Sequence, residues 1–200
     1  MSQTQLLDLS LNLHLYEEAM QLYRDSFDEE EREDENTLLK NIKTQTYKMF
    51  VYVEEKEVLG LWILDINAEL EYVLFLFLCT KESVRGRGLG TQLCLDAIRY
   101  FNESCKEKWL LIEAKRRQEK LYKKLGFKTL EIEYNVPAFN SSLSIKMALM
   151  LIQKEQDLDK ETLRKIITDN FVRGYGVEED DPRLLTQLLN IKNFSFCNLY

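Results

Sequence analysis

The sequence predicts an α/β protein in which a mixed, mostly antiparallel sheet of about six or seven strands is flanked by helices, with a helical extension at the C-terminus. Several segments carry apolar residues at the three- and four-residue spacing of amphipathic helices. Short segments rich in aromatic and aliphatic residues, typical of strands, lie between them. With 200 residues, 45% of them apolar, the chain is long enough to bury an ordinary core.

The first part of the chain is predicted to hold two helices joined by an acidic turn. Five apolar residues recur at helical spacing: Leu11, Leu15, Ala19, Leu22 and Tyr23. They predict an amphipathic helix over residues 10–26. Residues 28–35 contain seven acids around one Arg. We expect them to form an exposed turn that leads into a second short helix over residues 36–42.

The middle of the chain alternates between strand and helix patterns. Residues 47–54 alternate in part and residues 58–66 form an apolar run, so we expect two antiparallel strands. Residues 72–80 form an aromatic and aliphatic run bounded by charge, which is typical of a central strand buried on both faces. Helical spacing returns over residues 88–100, and residues 109–112 indicate another buried strand.

A short helix and a closing strand pair are predicted next. Residues 118–125 form a basic helix that stops at Gly126, a residue suited to the left-handed position after a helix end. Residues 127–134 and 144–153 are expected to pair as a hairpin around a loop over residues 135–142.

Beyond residue 153 the composition changes, and two further helices are predicted. They cover residues 160–171 and 182–191, separated by Gly174-Tyr175-Gly176. We therefore expect one catalytic domain over residues 1–153 and a helical extension over residues 154–200.

Composition and charge weigh against several classes of function. The formal net charge of −7 argues against binding to nucleic acid and fits a cationic substrate better. No apolar stretch reaches 18 residues and the N-terminus lacks a signal-peptide pattern, so we expect a cytoplasmic protein without a membrane span. His14 is the single histidine and the four cysteines lack paired spacing, so no metal site or His-based triad is predicted.

A glycine-rich loop between the central strand and the following helix is the main chemical signal. Gly86, Gly88 and Gly90 let the backbone approach a ligand closely, and amides at a helix N-terminus favour an anion such as pyrophosphate. Arg85 and Arg87 add positive charge. The loop lacks the ending of a Walker loop and the position of a Rossmann loop. A purely structural glycine turn is the alternative.

Two segments of the chain also carry a family resemblance. They are Val84-Arg85-Gly86-Arg87-Gly88-Leu89-Gly90 and Leu121-Tyr122-Lys123-Lys124-Leu125-Gly126-Phe127. The first resembles the coenzyme A loop of the GCN5-related N-acetyltransferases (GNAT family), Arg/Gln-x-x-Gly-x-Gly/Ala, and the second resembles their Tyr-x-x-x-Gly-Phe segment. The resemblance covers about residues 5–153. It implies the GNAT fold, with a twisted central sheet, and acetyl-CoA or another acyl-CoA as co-substrate.

This resemblance implies a binding site for the acyl donor. Backbone amides from Arg87 to Thr91 would bind the pyrophosphate, and the end of the central strand would pair with the pantetheine arm and polarise the thioester carbonyl. The implied donor-binding residues are Leu78, Cys79, Thr80, Arg85, Gly86, Arg87, Gly88, Leu89, Gly90 and Thr91. Many relatives carry Asn and Ala where this chain has Lys115 and Gln118, which leaves the pantetheine contacts of that loop open.

Catalysis would need an acid for the departing thiolate and a base for the attacking amine. The resemblance implies Tyr122 as the acid, and a tyrosine packed in the core is the alternative. Glu113, at the end of the strand before the Tyr122 helix, is the first candidate for the base, although it also fits a surface ion pair. Tyr72 and Glu71 are the alternative candidates.

The acceptor side is predicted less specifically. In the family, the first two helices and the loop between the last strands wall the acceptor cleft, which implies Phe27, Glu30, Glu31 and Tyr134 as substrate-binding residues. Carboxylates there would attract a polycation such as a polyamine, an aminoglycoside or a lysine-rich peptide. A solvated acidic surface is the alternative.

The resulting hypothesis is an N-acetyltransferase that moves acetyl from acetyl-CoA to a primary amine of a small molecule or peptide, by direct attack through a tetrahedral intermediate. One alternative is a non-catalytic module of the same fold that binds coenzyme A or docks to a partner. Another is an enzyme that uses a longer acyl-CoA. The apolar residues 194–200 suggest a homodimer or protein contact through the C-terminal extension.

Overall fold

A computed structural model of the protein describes residues 4–192. Contacts between Cα atoms divide the chain into two compact units. The N-terminal unit contains residues 4–67 and 73–107, and the C-terminal unit contains residues 68–72 and 108–192. Within these described residues, none of the helices is long and apolar enough to cross a membrane.

Four strands run through the N-terminal unit, except that the first residue of the fourth, Tyr72, belongs to the C-terminal unit. They are β1 (Thr4–Asp8), β2 (Tyr47–Glu54), β3 (Glu57–Asn67) and β4 (Tyr72–Thr80), in this order across the sheet. β1 and β3 both pair antiparallel with β2. Glu55 and Lys56 have φ values of 50° and 72° and make the tight turn between β2 and β3. The predictions for β2, β3 and β4 are confirmed, whereas the short edge strand β1 was not predicted.

Three helices accompany these strands: α1 (Tyr16–Ser26), α2 (Glu35–Lys43) and α3 (Leu89–Ser104). The prediction of one helix from residue 10 is wrong, because two 3₁₀ turns precede α1. The side chain of Asp8 accepts from the Ser10 amide, and Asn12, with φ −131° and ψ 45°, interrupts the helical path. Leu11 consequently points to solvent and is 79% exposed.

A continuous apolar core joins α1 and α2 to the strands of this unit. Ala19, Leu22 and Tyr23, which the helical stripe predicted as apolar contacts, are buried in it. The acidic segment before α2 is not exposed throughout. Glu33 is 8% exposed, its carboxylate accepts from Tyr47 Oη at 3.2 Å, and its amide donates to Tyr23 Oη at 2.9 Å. The Glu33 side chain is therefore buried although its neighbours in the sequence are acidic, and the pattern of charges alone does not predict this.

The C-terminal unit has four strands, which brings the total among the described residues to eight. They are β5 (Trp109–Ala114), β6 (Lys128–Thr129), β7 (Tyr134–Pro137) and β8 (Ser144–Gln153). β8 pairs antiparallel with the other three. The predicted continuous strand over residues 127–134 is wrong, because the Ile132 amide donates to the Leu130 carbonyl at 2.8 Å and turns the chain between β6 and β7.

Three helices complete the C-terminal unit: α4 (Glu119–Lys124), α5 (Lys160–Asp169) and α6 (Pro182–Lys192). A π-helical turn, Asn170–Gly174, follows α5 directly. α6 is tied to β7 because Gln187 Oε1 accepts from the Asn135 amide at 3.0 Å and Gln187 Nε2 donates to the Glu133 carbonyl at 3.0 Å. The two predicted C-terminal helices are confirmed, and the boundary proposed at residue 153 falls inside this unit. Residues 194–200, on which a protein contact was predicted, lie outside the described residues.

Candidate active site

The glycine-rich loop connects β4 to α3 through one 3₁₀ turn, Glu82–Val84. Gly86 and Gly88 have φ values of 76° and 86°, in the left-handed region that favours glycine. A Cβ atom at either position would meet nothing within 4 Å, so the requirement for glycine is conformational and the adjoining space is open. Arg85 and Arg87 are exposed beside it.

The start of α3 presents unsatisfied backbone donors. Gly88 is the N-cap residue, and no side chain in the described part of the chain caps it. The first amide of α3 with an intrahelical acceptor is that of Gln92, which donates to the Gly88 carbonyl at 3.0 Å. The amides of Leu89, Gly90 and Thr91 therefore point along the helix axis without intrahelical acceptors. Together with the positive end of the helix dipole they fit a diphosphate group.

Lys81 holds the entry of this loop against β3 and α1. Its amide donates to the Leu59 carbonyl at 2.8 Å, and its ammonium group lies 2.6 Å from Glu57 Oε1 and 3.5 Å from Glu18 Oε1. A Cβ atom on Gly60 would lie 2.6 Å from Leu93 Cδ1, so this glycine allows α3 to pack closely on β3. Neither contact was evident in the sequence.

The end of β4, predicted to bind pantetheine, alternates in burial. Leu78 and Thr80 are partly exposed, whereas Cys79 is buried in the apolar core. Burial raises the pKa of the Cys79 thiol to about 12, so this thiol stays protonated at neutral pH.

Tyr122 lies on α4 and is 5% exposed. Its ring packs edge-on against Phe127, with centroids 5.7 Å apart. The Phe127 amide donates to the Tyr122 carbonyl at 3.0 Å, and Gly126, with φ 99°, takes the left-handed position after the helix. These are the bonds of a Schellman C-cap, so the Tyr-x-x-x-Gly-Phe segment has a local structural role whatever the chemistry of the phenol.

Glu113 lies on β5 among three hydrogen-bond donors. Tyr134 Oη and Asn170 Nδ2 donate to its Oε1 at 2.5 and 2.7 Å, and Tyr175 Oη donates to its Oε2 at 2.6 Å. Burial raises the pKa of Glu113, and the three hydrogen bonds partly oppose that effect because they stabilise the ionised form. Burial and the neighbouring Glu113 carboxylate both raise the pKa of Tyr134, which keeps its phenol protonated.

The two alternative bases lie in other surroundings. Tyr72 is fully buried, donates to Asp169 Oδ2 at 2.6 Å and accepts from Arg173 Nη2 at 3.2 Å. Glu71 occupies a turn with φ 55° and forms an ion pair with Lys108. Unlike Glu71, Glu113 accepts hydrogen bonds from two phenols and an amide, and burial raises its pKa above the ordinary value.

The predicted acceptor residues are divided between the two units. In the N-terminal unit, Phe27 packs against Tyr23 and Phe77, with ring centroids 5.4 and 5.2 Å apart, and Glu30 is exposed while Glu31 is partly exposed. In the C-terminal unit, Tyr134 is 1% exposed and is bonded to Glu113. The structure thus brings together Glu113 and Tyr134, a pairing that the sequence did not predict.

Asn170 and Tyr175 were missed by sequence reasoning. They lie 57 and 62 positions from Glu113, and such long-range contacts leave no trace in local periodicity. One signal was available in the sequence: two glycines, Gly174 and Gly176, flank Tyr175. Glycines so close together indicate a turn or another interruption of the helix at the aromatic residue.

Comparisons with known proteins bear on this arrangement. A family model described as an acetyltransferase (GNAT) domain matches residues 45–129. A search of curated proteins gave no match.

Several solved structures have the same fold. A putative GNAT-family acetyltransferase from Bacteroides thetaiotaomicron has a TM-score of 0.68 at 20% identity, covering 88% of this chain and 99% of its own. A putative acetyltransferase from Acinetobacter baylyi ADP1 has a TM-score of 0.61 at 16% identity, covering 80% and 97%. Spermidine N-acetyltransferase from Vibrio cholerae, in complex with CoA and spermine, has a TM-score of 0.56 at 20% identity, covering 76% and 95%. These similarities confirm the predicted fold.

Proposed function

We propose that this protein is an N-acyltransferase. The match of residues 45–129 to the model of a GNAT acetyltransferase domain supports this proposal. In this proposal acetyl-CoA is the donor substrate and the acceptor is a primary amine of a small molecule or a peptide. The buried thiols Cys79 and Cys94 are free, which fits a reducing compartment, and we place the activity in the cytoplasm.

The glycine loop at the start of α3 is the observation that carries this proposal. Free helix amides, two glycines in the left-handed region and two exposed arginines form an open site for a diphosphate. Leu78, Cys79 and Thr80 at the end of β4 are the proposed contacts for pantetheine. A backbone amide there would stabilise the negative charge that develops on the thioester oxygen.

Two side chains of the C-terminal unit are proposed to handle protons. Glu113 removes a proton from the acceptor ammonium group, because only a neutral amine is nucleophilic. The neutral amine adds to the thioester carbonyl, and the C–S bond breaks as the tetrahedral intermediate collapses. Tyr122 donates its phenolic proton to the departing thiolate, and the second proton lost by the attacking nitrogen returns through solvent to the Tyr122 phenolate. The proton taken up by Glu113 is released to solvent. Tyr72 and Glu71 are less suitable bases, since the first already donates to Asp169 and the second is paired with Lys108.

A polyamine is the acceptor class that we would test first. Asp28, Glu29 and Glu30 are exposed and would attract a polycation. The Vibrio cholerae relative, whose structure contains spermine, supports the same choice. Phe27 and Glu31 are proposed to lie on the same acceptor surface. A polyamine should therefore have a higher kcat/KM than an amine that carries a single positive charge. The difference should shrink with added salt, because salt screens the attraction between the carboxylates and the polycation.

Thermal unfolding with and without acetyl-CoA tests the donor site. A ligand that binds only the folded protein raises Tm, so acetyl-CoA should raise the wild-type Tm and should not raise that of Gly88→Val. Gly176→Val is the matched control, because Gly176 also has a positive φ, 67°, and open space around it, but lies outside the loop. An unchanged wild-type Tm with acetyl-CoA and with longer acyl-CoAs would contradict the proposal.

Thiol release with a panel of polyamines, aminoglycosides and lysine-rich peptides then separates the rival functions. Release with acetyl-CoA supports the enzyme. Release only with long-chain donors would identify an acyltransferase for longer acyl groups. Donor binding without release from any pair would favour a non-catalytic coenzyme A-binding module.

A further inference from the structure

The C-terminal helical segment supplies two of the three donors around Glu113. Asn170 begins the π-helical turn after α5 and Tyr175 directly follows it, and the Tyr175 amide donates to the Asn170 carbonyl at 3.0 Å. This wider turn places both side chains on the same carboxylate, one on each oxygen. Single π-helical turns inside or after α-helices are frequently found at functional sites.

Packing holds the two donors in place. The Tyr175 ring stacks on Phe139, with centroids 4.9 Å apart and planes at 29°, and contacts Phe171 edge-on at 6.0 Å. A Cβ atom on Gly174 would lie 2.8 Å from Asn170 Oδ1, so a glycine at this position leaves room for the Asn170 amide. The arrangement restricts the carboxylate more tightly than an exposed glutamate would be restricted.

The chemistry of the three donors suits a base. Two phenols and one amide stabilise an ionised carboxylate without neutralising it by a positive charge. An arginine or lysine in direct contact would lower the basicity of the group much further. The donors thus fix the direction of the carboxylate oxygens while burial keeps the group basic.

We propose that Asn170 and Tyr175 are positioning residues that hold the Glu113 carboxylate for proton removal from the acceptor amine. This inference rests on the proposed function and makes the C-terminal helical segment part of the catalytic machinery. It concerns the acceptor half of the reaction only, so donor binding should not depend on either residue.

The pH dependence of turnover distinguishes positioning from a merely structural role. The groups that face the Glu113 carboxylate are Tyr134 from β7 and Asn170 and Tyr175 from the C-terminal segment. Beyond them, Tyr72 adds to the electrostatic field at Tyr134, and Asp169 and Arg173 bond to Tyr72. Each hydrogen bond to Glu113 lowers its pKa, so the loss of one should raise that pKa further.

The experiment compares the 200-residue wild type with Tyr175→Phe in kcat/KM for spermine between pH 5 and 9. In a plot of kcat/KM against pH, the acidic limb is the part where the rate falls as the base becomes protonated. Loss of a hydrogen bond to the charged carboxylate should raise its pKa and so move this limb by on the order of one pH unit toward higher pH. We expect that shift, together with a lower kcat at neutral pH and an unchanged acetyl-CoA-dependent rise in Tm. Asn170→Ala should move the limb in the same direction.

Thr129→Val is the matched control. It removes a hydroxyl that donates to another carboxylate of the same unit, Glu119 Oε1, at 2.8 Å. This change should leave the acidic limb in place. A folded Tyr175→Phe variant with wild-type kcat and an unmoved limb would overturn the inference while leaving the proposed function intact. A wild type that binds acetyl-CoA and acetylates no amine would instead refute the proposed function, and the inference with it.

Discussion

Tyr175 Oη donates a 2.6 Å hydrogen bond to Glu113 Oε2 across 62 positions of the chain. This contact joins the segment after α5 to the strand that precedes α4, and it places a phenol from the C-terminal extension on the proposed base. The extension is therefore bonded to a candidate catalytic group within the C-terminal unit.

Replacement of Glu113 by Gln should change how stability depends on pH. Since the folded-state pKa of Glu113 is raised above 4.5, its stabilising contribution is complete below pH 4.5 and is lost as pH rises through the folded-state pKa. The Tm of wild type minus that of Glu113→Gln should therefore fall as pH rises from 4 to 8. Thermal scans across this range measure it.

Glu119→Gln provides a control of opposite sign. Its bonds from Lys123 and Thr129 lower the pKa of Glu119, so the wild type should gain stability over this variant only as pH rises toward 4.5. Above pH 4.5 the Tm difference for Glu119→Gln should stay constant. A Tm difference for Glu113→Gln that is constant or rises with pH would contradict the assigned environment of Glu113.

Tyr122→Phe should separate chemistry from donor binding. If the phenol protonates the thiolate, kcat should fall about a hundredfold while the acetyl-CoA-dependent rise in Tm persists. The Schellman cap depends on backbone atoms and the ring packing on carbon atoms, so the variant should keep its fold. Tyr100→Phe, which removes a phenol from the ring cluster with Trp62, is the control. Wild-type turnover in Tyr122→Phe would remove this residue from the mechanism.

Gly174→Ala should reproduce part of the effect of removing Asn170. The new Cβ atom would displace Asn170 Oδ1, now 2.8 Å away, and weaken the bond to Glu113. We expect a loss of about 1 kcal/mol in the free energy of unfolding, and an acidic limb moved toward higher pH. Gly60→Ala, which crowds Leu93 Cδ1 in the N-terminal unit, is the control: it should cost stability but leave the limb unmoved. Equal limbs in the two variants would count against the role of Asn170.

Gly60→Ala should destabilise the N-terminal unit by crowding. Its Cβ atom would lie 2.6 Å from Leu93 Cδ1 and 3.1 Å from the Cys79 carbonyl oxygen, and overpacking of this kind costs about 1 to 3 kcal/mol. Gly90→Ala, whose nearest contact would be Thr80 Cγ2 at 4.0 Å, should be neutral or slightly stabilising because alanine favours a helix. Urea unfolding of both variants measures the difference. A Gly60→Ala variant as stable as wild type would show that α3 can move away from β3 at little cost.

Local patterns determined most of the elements of this protein. Periodicity predicts six of them: β2, β3, β4, α2, α5 and α6. Each of these elements is specified by the pattern of apolar residues within its own segment. The loop from Arg85 to Gly90 could likewise be assigned an anion-binding geometry, since helix amides and left-handed glycines act over a few residues.

Only the tertiary structure decided where single side chains lie and what they contact. Leu11 belongs to an apolar stripe yet is exposed, and Glu33 belongs to an acidic run yet is buried, because 3₁₀ turns and tyrosine hydroxyls elsewhere in the fold redirect them. The partners of Glu113 came from residues 134, 170 and 175. A hydrogen bond depends on the distance between two atoms in the folded chain. The number of residues between two positions in the sequence does not determine that distance.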